Sequence, residues 1–253
     1  MEENNNMKIG VLTDSSSYLT KEQCEKYGID VLPIPIIWDN KEYLDLIDIG
    51  FHEFYEKLST SSTLPTTSQP STGTVKKYVD KYIDEGYTDL IIITLSSGIS
   101  SFYNNVLSVA DEESRINIHP FDCKITCAGE ANAAILAGRL VKAGADIDLI
   151  MHDLKDLRNT TDVRFMVANL NHLKRTGRLS NAASFDEERE AEWVSDYESS
   201  FPKVKIYQSI IGPVVGVHVG QHTMAMIWGR DLDSYFDENG KPIKDIKSKV
   251  VED

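Results

Sequence analysis

The chain has 253 residues, of which 41% are hydrophobic, and its formal net charge at pH 7 is −14. This length is sufficient for one large domain or two smaller domains with their own cores. Contacts from lysine and arginine to phosphate dominate nucleic-acid affinity, so the acidic charge argues against nucleic-acid and anionic-membrane partners. No stretch approaches the roughly 20 apolar residues of a membrane span, so we expect no stable membrane insertion.

The three cysteines, Cys24, Cys123 and Cys127, form an odd and sparse set that is typical of free thiols in a reducing compartment. Cys123 and Cys127 are four residues apart, but no matching His or Cys pair accompanies them, so we expect buried thiols and no metal site. The polar residues 1–6 are unlike a secretory signal and are interpreted as a flexible leader. These features together predict a cytoplasmic protein.

Alternating strand and helix patterns predict a first α/β domain over residues 7–159, with a mainly parallel sheet flanked by helices. Apolar runs predict strands at 8–12, 29–38, 90–94 and 116–122. Helical periodicity predicts helices at 20–27, 51–58, 73–85, 102–110, 129–143 and 148–159. Within 29–38, Pro33 and Pro35 predict an edge position or a bulged path, because proline cannot donate to a strand ladder.

Residues 160–229 predict a second, shortened α/β domain with a small mixed sheet. Its predicted elements are strands at 163–167 and 204–211, a polar turn at 177–181, an acidic helix at 186–199, a glycine-rich loop at 212–220 and an apolar run at 224–228. The charged residues 230–253 are interpreted as a loose tail.

Three hydroxyl-rich loops, at residues 13–17, 66–71 and 96–101, are the most informative feature of the chain. Each of them follows an apolar run, and loops at the carboxyl edge of a parallel sheet are where open α/β folds bind ligands. Hydroxyls and free backbone N–H groups near helix starts both donate to an anion. The loops therefore predict a site for a small acidic group.

Other chemistries have weaker support. Gly98, Ser100 and Phe102 begin like the G-x-S-x-G elbow of serine hydrolases, but Phe102 stands where the second glycine belongs. A serine hydrolase that uses Ser100 and His218 stays open as an alternative, although a binding or capping serine fits better. Neither the P-loop nor the dinucleotide-binding glycine pattern occurs, so no nucleotide cofactor is expected.

Arg178 and His218 each lie in a glycine-flanked segment, where the backbone can approach a ligand closely. Arg178 is also explained as one member of a surface ion pair, and His218 as a core histidine. The glycine-rich surroundings of His218 favour a site.

Five motifs in order resemble the DegV family of bacterial fatty-acid-binding proteins, which includes the lipid-carrying subunit of fatty acid kinase. The motifs are TDSSS at 13–17, TSQPS at 67–71, SSGIS at 96–100, LKRTGRLS at 173–180 and GPVVGVH at 212–218. The resemblance spans roughly residues 8–229 and implies two α/β domains that enclose one long-chain fatty acid. It implies a binding protein with no cofactor and no catalytic residue, whose partner is the catalytic subunit of a fatty acid kinase.

The resemblance also implies roles for individual residues. Thr67 and Ser100 match the hydroxyls that bind the fatty-acid carboxylate, and His218 matches a histidine near that headgroup. Arg178 matches an arginine that engages the kinase or its phosphoryl transfer. The supporting residues of the ligand loops are Ser15, Ser68, Ser97 and Gly98.

Three departures from the family pattern affect these expectations. Ser101 and Phe102 stand where the family usually has Gly-Thr, and His222 stands where Gly is common. Between Phe185 and Asp186 the chain lacks a strand–strand–helix–strand segment that the family's second domain normally has. Two explanations stay open: the chain is a reduced member of the family, or the native protein contains residues that this sequence lacks. A ligand-free scaffold, whose reduced second domain no longer covers the acyl chain, is therefore a third hypothesis.

Overall fold

The computed structural model describes residues 7–166, 209–220 and 223–244, which form two compact units. The first unit contains residues 7–32, 69–161 and 229–244, and the second contains 33–68, 162–166, 209–220 and 223–228. This division differs from the predicted consecutive domains at 7–159 and 160–229. Residues 33–68 leave the first unit and group with the later part of the chain.

The described strands and helices follow one another in this order. The strands are β1 (Ile9–Asp14), β2 (Ile29–Leu32), β3 (Pro35–Trp38), β4 (Lys41–Leu44), β5 (Thr66–Thr67), β6 (Asp89–Thr94), β7 (Asn117–Asp122), β8 (Asp162–Met166) and β9 (Met224–Trp228). The helices are α1 (Lys21–Tyr27), α2 (Phe51–Thr60), α3 (Thr72–Asp84), α4 (Phe102–Glu112), α5 (Ala128–Lys142), α6 (Ile147–Thr160) and α7 (Pro213–Val219). Short 3-10 helices occur at Ser15–Ser17 and Leu232–Tyr235.

The first unit is built on a four-stranded sheet in the order β2-β1-β6-β7, and all of its pairings are parallel. Every residue of β1 and β6 is buried, as expected for central parallel strands that are covered on both faces. The predicted α/β class with a mainly parallel sheet is confirmed. The carboxyl ends of β1 and β6 lead directly into the first and third hydroxyl-rich loops.

Local sequence signals explain the ends of several helices. Helix α1 begins with a capping box in which the Thr20 side chain accepts from the Gln23 backbone, and the Gln23 side chain accepts from that of Thr20. It ends at Gly28, whose φ of 69° is the left-handed conformation that glycine adopts without strain. Helices α5 and α6 pack on the apolar core of this unit.

The interpretation of residues 230–253 as a loose tail is wrong for the part that the structure describes. Tyr235 is 0% exposed and belongs to the core of the first unit, where Leu232 and Phe236 pack beside it. The Tyr235 hydroxyl donates to Asp156 at 2.7 Å, and the Arg139 guanidinium lies 4.4 Å from the Phe236 ring centroid. The apolar residues among the charges therefore anchor this segment.

The second unit contains two small antiparallel sheets, one in the order β4-β3-β5 and one that pairs β8 with β9. The single strand predicted at 29–38 is in fact two strands in different sheets. Ile29–Leu32 pairs with β1, whereas Pro35–Trp38 pairs with β4 and β5. Two closely spaced prolines lack the N–H donors that a continuous ladder would need, so the chain changes sheets there.

Two further features of the second unit went unpredicted. Asp39 and Asn40 have φ values of 53° and 61°, and they form the tight turn that joins β3 to β4. The glycine-rich segment predicted as a loop is instead helix α7, which starts with Pro213 and stops before Gly220. The predicted turn at 177–181 and acidic helix at 186–199 lie outside the described residues, as does most of the strand at 204–211.

Candidate functional site

The hydroxyls of the first loop are engaged within the first unit. Ser16 Oγ lies 2.7 Å from both Asp14 Oδ1 and Glu130 Oε2, and Ser17 Oγ donates to the Asp14 carbonyl at 2.8 Å. Ser15 is as buried as these two serines. This loop therefore stabilises the end of β1 against α5, and its role as a support for a ligand loop stays a prediction.

Asp14 and Glu130 are both fully buried at this point. Their hydrogen-bond partners indicate which of the two carboxyl groups is protonated. Asp14 accepts from Leu95 N at 2.9 Å and from Ser16 N at 3.0 Å, which are the donors that an ionised carboxylate needs. Ser16 Oγ has one hydrogen and cannot donate to both carboxyls. Burial raises the pKa of Asp14, and burial and the neighbouring Asp14 raise that of Glu130 well above its usual value. Glu130 is thus the protonated partner.

The third loop, Ser96–Ser101, is shaped by Asp122 at the end of β7. Ser97 donates to Asp122 from its backbone N at 3.1 Å and from Oγ at 2.5 Å, and Gly98 N donates to Ser96 Oγ at 3.2 Å. The predicted support residues Ser97 and Gly98 therefore hold the loop in shape. Ser100 Oγ accepts from Phe102 N at 3.2 Å, a bond that leaves its own hydrogen for another acceptor.

The serine-hydrolase alternative gains no support from the geometry at Ser100. A nucleophile elbow places its serine on a strained turn. Ser100 is not among the six described non-glycine residues with positive φ, which are Tyr18, Asp39, Asn40, Leu46, Lys124 and Cys127. Its hydroxyl caps the start of α4 instead.

The second loop and the later histidine meet within the second unit. Thr67 Oγ1 lies 2.9 Å from His218 Nε2, although the two residues are 151 positions apart in the chain. Thr67 is held on β5 opposite Ile36 of β3, and the adjacent Ser68 N donates to the Pro35 carbonyl at 3.1 Å. Both side chains of the pair are half-buried.

The Thr67–His218 pair has the chemistry of an anion-binding group. When Nε2 carries the imidazole hydrogen it donates to Thr67 Oγ1, and the threonine hydrogen is then directed to a further acceptor. A protonated imidazole would add positive charge at the same place. In this tautomer the pair offers a hydroxyl donor whose orientation is set by an imidazole.

No metal site is indicated in the part of the chain that the structure describes. Within it, no group of three or more His, Cys, Asp or Glu side chains is placed to hold a metal ion. Cys123 and Cys127 are buried free thiols, and burial raises the pKa of Cys127 to about 12, so neither acts as a thiolate at neutral pH. None of the described helices is long and apolar enough to span a bilayer.

Arg178 and His222 lie outside the described residues. Two residues with clear structural roles, Asp122 and Glu130, were not predicted from the sequence. Asp122 is the last residue of the strand predicted at 116–122, and an acidic residue at the carboxyl end of a strand was a usable signal. Glu130 is a lone acidic residue in the alanine-rich start of α5, a position that indicates a buried polar partner.

The parallel sheet, with hydroxyl-rich loops at the carboxyl ends of two central strands, is the arrangement of an open α/β ligand-binding fold. The model of the DegV family matches residues 8–185. The chain belongs to the DegV family, and the resemblance seen in the motifs is confirmed.

Relatives and solved structures agree with this assignment. A DegV domain-containing protein of Staphylococcus aureus is 32% identical over 231 residues, covering 90% of this chain and 76% of the relative. The crystal structure of DegV, a fatty acid binding protein from Bacillus subtilis, superposes with a TM-score of 0.81 at 26% identity, covering 89% of this chain and 100% of that one. A fatty acid binding DegV family protein from Streptococcus agalactiae superposes with a TM-score of 0.78 at 25% identity, and the match covers 89% of this chain and 99% of that one.

The chain is shorter internally than its Bacillus relative. Their alignment extends over 279 positions and takes in 99% of the relative, although this whole chain has only 253 residues. The alignment must therefore contain gaps opposite residues that this chain lacks. The family match ends at residue 185, the point at which the motif comparison places the missing segment.

Proposed function

We propose that this chain binds one long-chain fatty acid and acts as a carrier without catalytic residues of its own. The observation that carries the proposal is the hydrogen-bonded pair of Thr67 Oγ1 and His218 Nε2 in a chain of the DegV family. The fatty-acid carboxylate accepts from the Thr67 hydroxyl, beside the His218 imidazole. Ser100 is proposed as a further donor, because its hydroxyl hydrogen is not used by the bond from Phe102 N.

Two physical terms support a fatty acid as the ligand. A carboxylate that leaves water needs several donors, because an unpaired buried charge is strongly penalised. Each buried methylene contributes about 0.8 kcal/mol, so a long acyl chain supplies most of the affinity. The B. subtilis and S. agalactiae proteins, which share this fold at 25% identity or above, are described as binding fatty acids.

Removing the Thr67 hydroxyl is expected to release the fatty acid. Thr67→Val keeps the side-chain shape and should weaken binding by about 10- to 100-fold, the usual value of a hydrogen bond to a charged group. Thr66→Val is the matched control, because Thr66 is the exposed neighbour on the same strand. Ser100→Ala tests the second hydroxyl in the same way. Its control is Ser101→Ala, because the Ser101 side chain makes no capping hydrogen bond to helix α4.

The measurement is native mass spectrometry of the purified protein, followed by titration of the delipidated protein with palmitate. Co-purified lipid in the wild type and in both control variants, with little in Thr67→Val, supports the proposal. A wild type that carries no lipid and does not bind palmitate would contradict it and favour the ligand-free scaffold.

We also propose that this cytoplasmic carrier presents its fatty acid to the catalytic subunit of a fatty acid kinase, with Arg178 engaging that subunit or the transferred phosphoryl group. Arg178→Ala should lower acyl-phosphate formation by about 10- to 100-fold while the bound fatty acid is unchanged, because arginine pairs strongly with phosphate and carboxylate. The assay combines the loaded carrier, a bacterial kinase subunit and ATP. Arg175→Ala, in the same motif, is the control, and equal rates for the two variants would refute the role of Arg178.

A further inference from the structure

Helix α7, which carries His218, contacts α2 as well as strands β3 and β5 of the second unit. Gly216 of α7 lies against Phe54 and Tyr55 of α2. A Cβ atom at Gly216 would lie 2.6 Å from Tyr55 Oη and 3.0 Å from Phe54 Cε1, both well inside van der Waals contact. Only glycine therefore lets α7 lie this close to α2.

Tyr55 holds the start of the same helix by a hydrogen bond. Its hydroxyl donates to the Ile211 carbonyl at 2.9 Å, two residues before the first residue of α7. The Tyr55 ring is itself fixed by edge-to-face contacts with Phe51 and Phe54, whose ring centroids lie 5.0 Å and 5.1 Å away. One side chain thus sets both the starting point of α7 and its distance from α2.

The position of α7 decides whether His218 reaches Thr67. Thr67 is fixed on β5 by strand pairing, so the 2.9 Å bond forms only where α7 holds the imidazole at this distance. Hydrogen bonds weaken steeply beyond about 3.2 Å, so a displacement of α7 by a fraction of an ångström is enough to lose it.

We infer that Tyr55, seated on Gly216, is the positioning residue that orients His218 toward Thr67 and so sets the affinity of the carboxylate site. This inference rests on the proposed function for its effect on affinity. Its structural half, the dependence of the Thr67–His218 bond on Tyr55, can be measured without any fatty acid.

The first test compares Tyr55→Phe with the wild type in delipidated protein labelled with ¹⁵N at histidine. The readout is the chemical shift of His218 Nε2, assigned with the His218→Gln variant, because this shift reports hydrogen bonding at that nitrogen. Tyr55→Phe should move the signal toward that of an unbonded imidazole and weaken palmitate binding by about fivefold, the usual value of one neutral hydrogen bond. Tyr43→Phe is the control, since the Tyr43 hydroxyl is bonded to Lys57 in the same unit.

The second test uses the contact between residues 55 and 216. Gly216→Ala should weaken palmitate binding more than Tyr55→Phe does, although alanine is the better helix former. In the double variant the clash at 2.6 Å is gone, so the loss should be smaller than the product of the two single losses. If Gly216→Ala fails to fold, Tyr55→Phe with its control still decides the matter.

The outcomes separate this inference from the proposed function. A His218 signal that moves in Tyr55→Phe, in a protein that never binds palmitate, would support the positioning role and refute the fatty-acid site. An unmoved signal, in a wild type that binds palmitate, would overturn the inference and leave the fatty-acid site standing. If Tyr55→Phe lowers the melting temperature but leaves the His218 signal and the affinity for palmitate unchanged, Tyr55 has only a structural role. That result would also overturn the inference.

Discussion

Replacing Asp14 by alanine is expected to lower the free energy of unfolding by about 3–5 kcal/mol, because three buried donors lose their acceptor and each unsatisfied donor costs about 1–3 kcal/mol. Asp14 accepts from Leu95 N, Ser16 N and Ser16 Oγ at 2.7–3.0 Å, and the substitution would leave these buried donors without a partner. The network joins the end of β1 to the residue that follows β6. Its loss should therefore loosen the sheet edge from which two of the hydroxyl-rich loops leave.

Denaturant-induced unfolding, followed by far-ultraviolet circular dichroism, measures this effect. Asp14→Asn keeps the volume but presents an amide N–H₂ to one of the backbone donors, so it should lose nearly as much stability. Asp84→Ala, at an exposed residue near the end of α3, is the control and should change stability by less than about 0.5 kcal/mol. A loss below about 1 kcal/mol in Asp14→Ala would show that the network adds little to stability.

Glu130→Gln is expected to remove a pH dependence from the stability of the first unit. In the wild type, burial and the neighbouring Asp14 raise the pKa of Glu130, so the folded state keeps a proton that the unfolded state releases. This stabilisation is complete below the unfolded pKa and is lost as the pH rises toward the folded pKa. Between these limits the loss is about 1.4 kcal/mol per pH unit.

Glutamine is neutral at every pH and can both donate to Ser16 Oγ and accept from Thr13 Oγ1, two of the contacts that Glu130 makes. The variant should match the wild type near pH 5 and become progressively more stable relative to it toward pH 8. The measurement is the difference in unfolding free energy between the two proteins across that range. A difference that does not change with pH would mean that Glu130 is ionised in the folded protein.

Continuous strands and periodic helices of the first unit were predicted to within a few residues. The apolar runs of β1, β6 and β7, and the spacing in α3 and α6, are local features that do not depend on the partner element. The assignment of residues 33–68 to the second unit was not predictable, because strand order is decided by pairing between distant segments. The same holds for Tyr235, whose burial depends on α6.

Helix α7 shows why local propensity failed in the second unit. Its seven residues include proline, glycine and four valines, which are weak helix formers. It is helical because its buried residues pack on α2 and on the strands around β5, and tertiary packing outweighs propensity in short helices. The turn at Asp39 and Asn40 is a different case, since that residue pair is a usable hairpin signal.

The order of the motifs in the sequence was sufficient to identify the family of this protein. The three hydroxyl-rich segments also showed where hydrogen-bond donors are concentrated along the chain. Only the tertiary structure decided what each hydroxyl does, because a hydrogen bond depends on which distant side chain is brought within about 3 Å. Ser16 is engaged by Asp14 and by Glu130, 114 residues away, whereas Thr67 meets His218. Chemically similar loops thus divide into one that stabilises the sheet edge and one that holds an imidazole beside a hydroxyl donor.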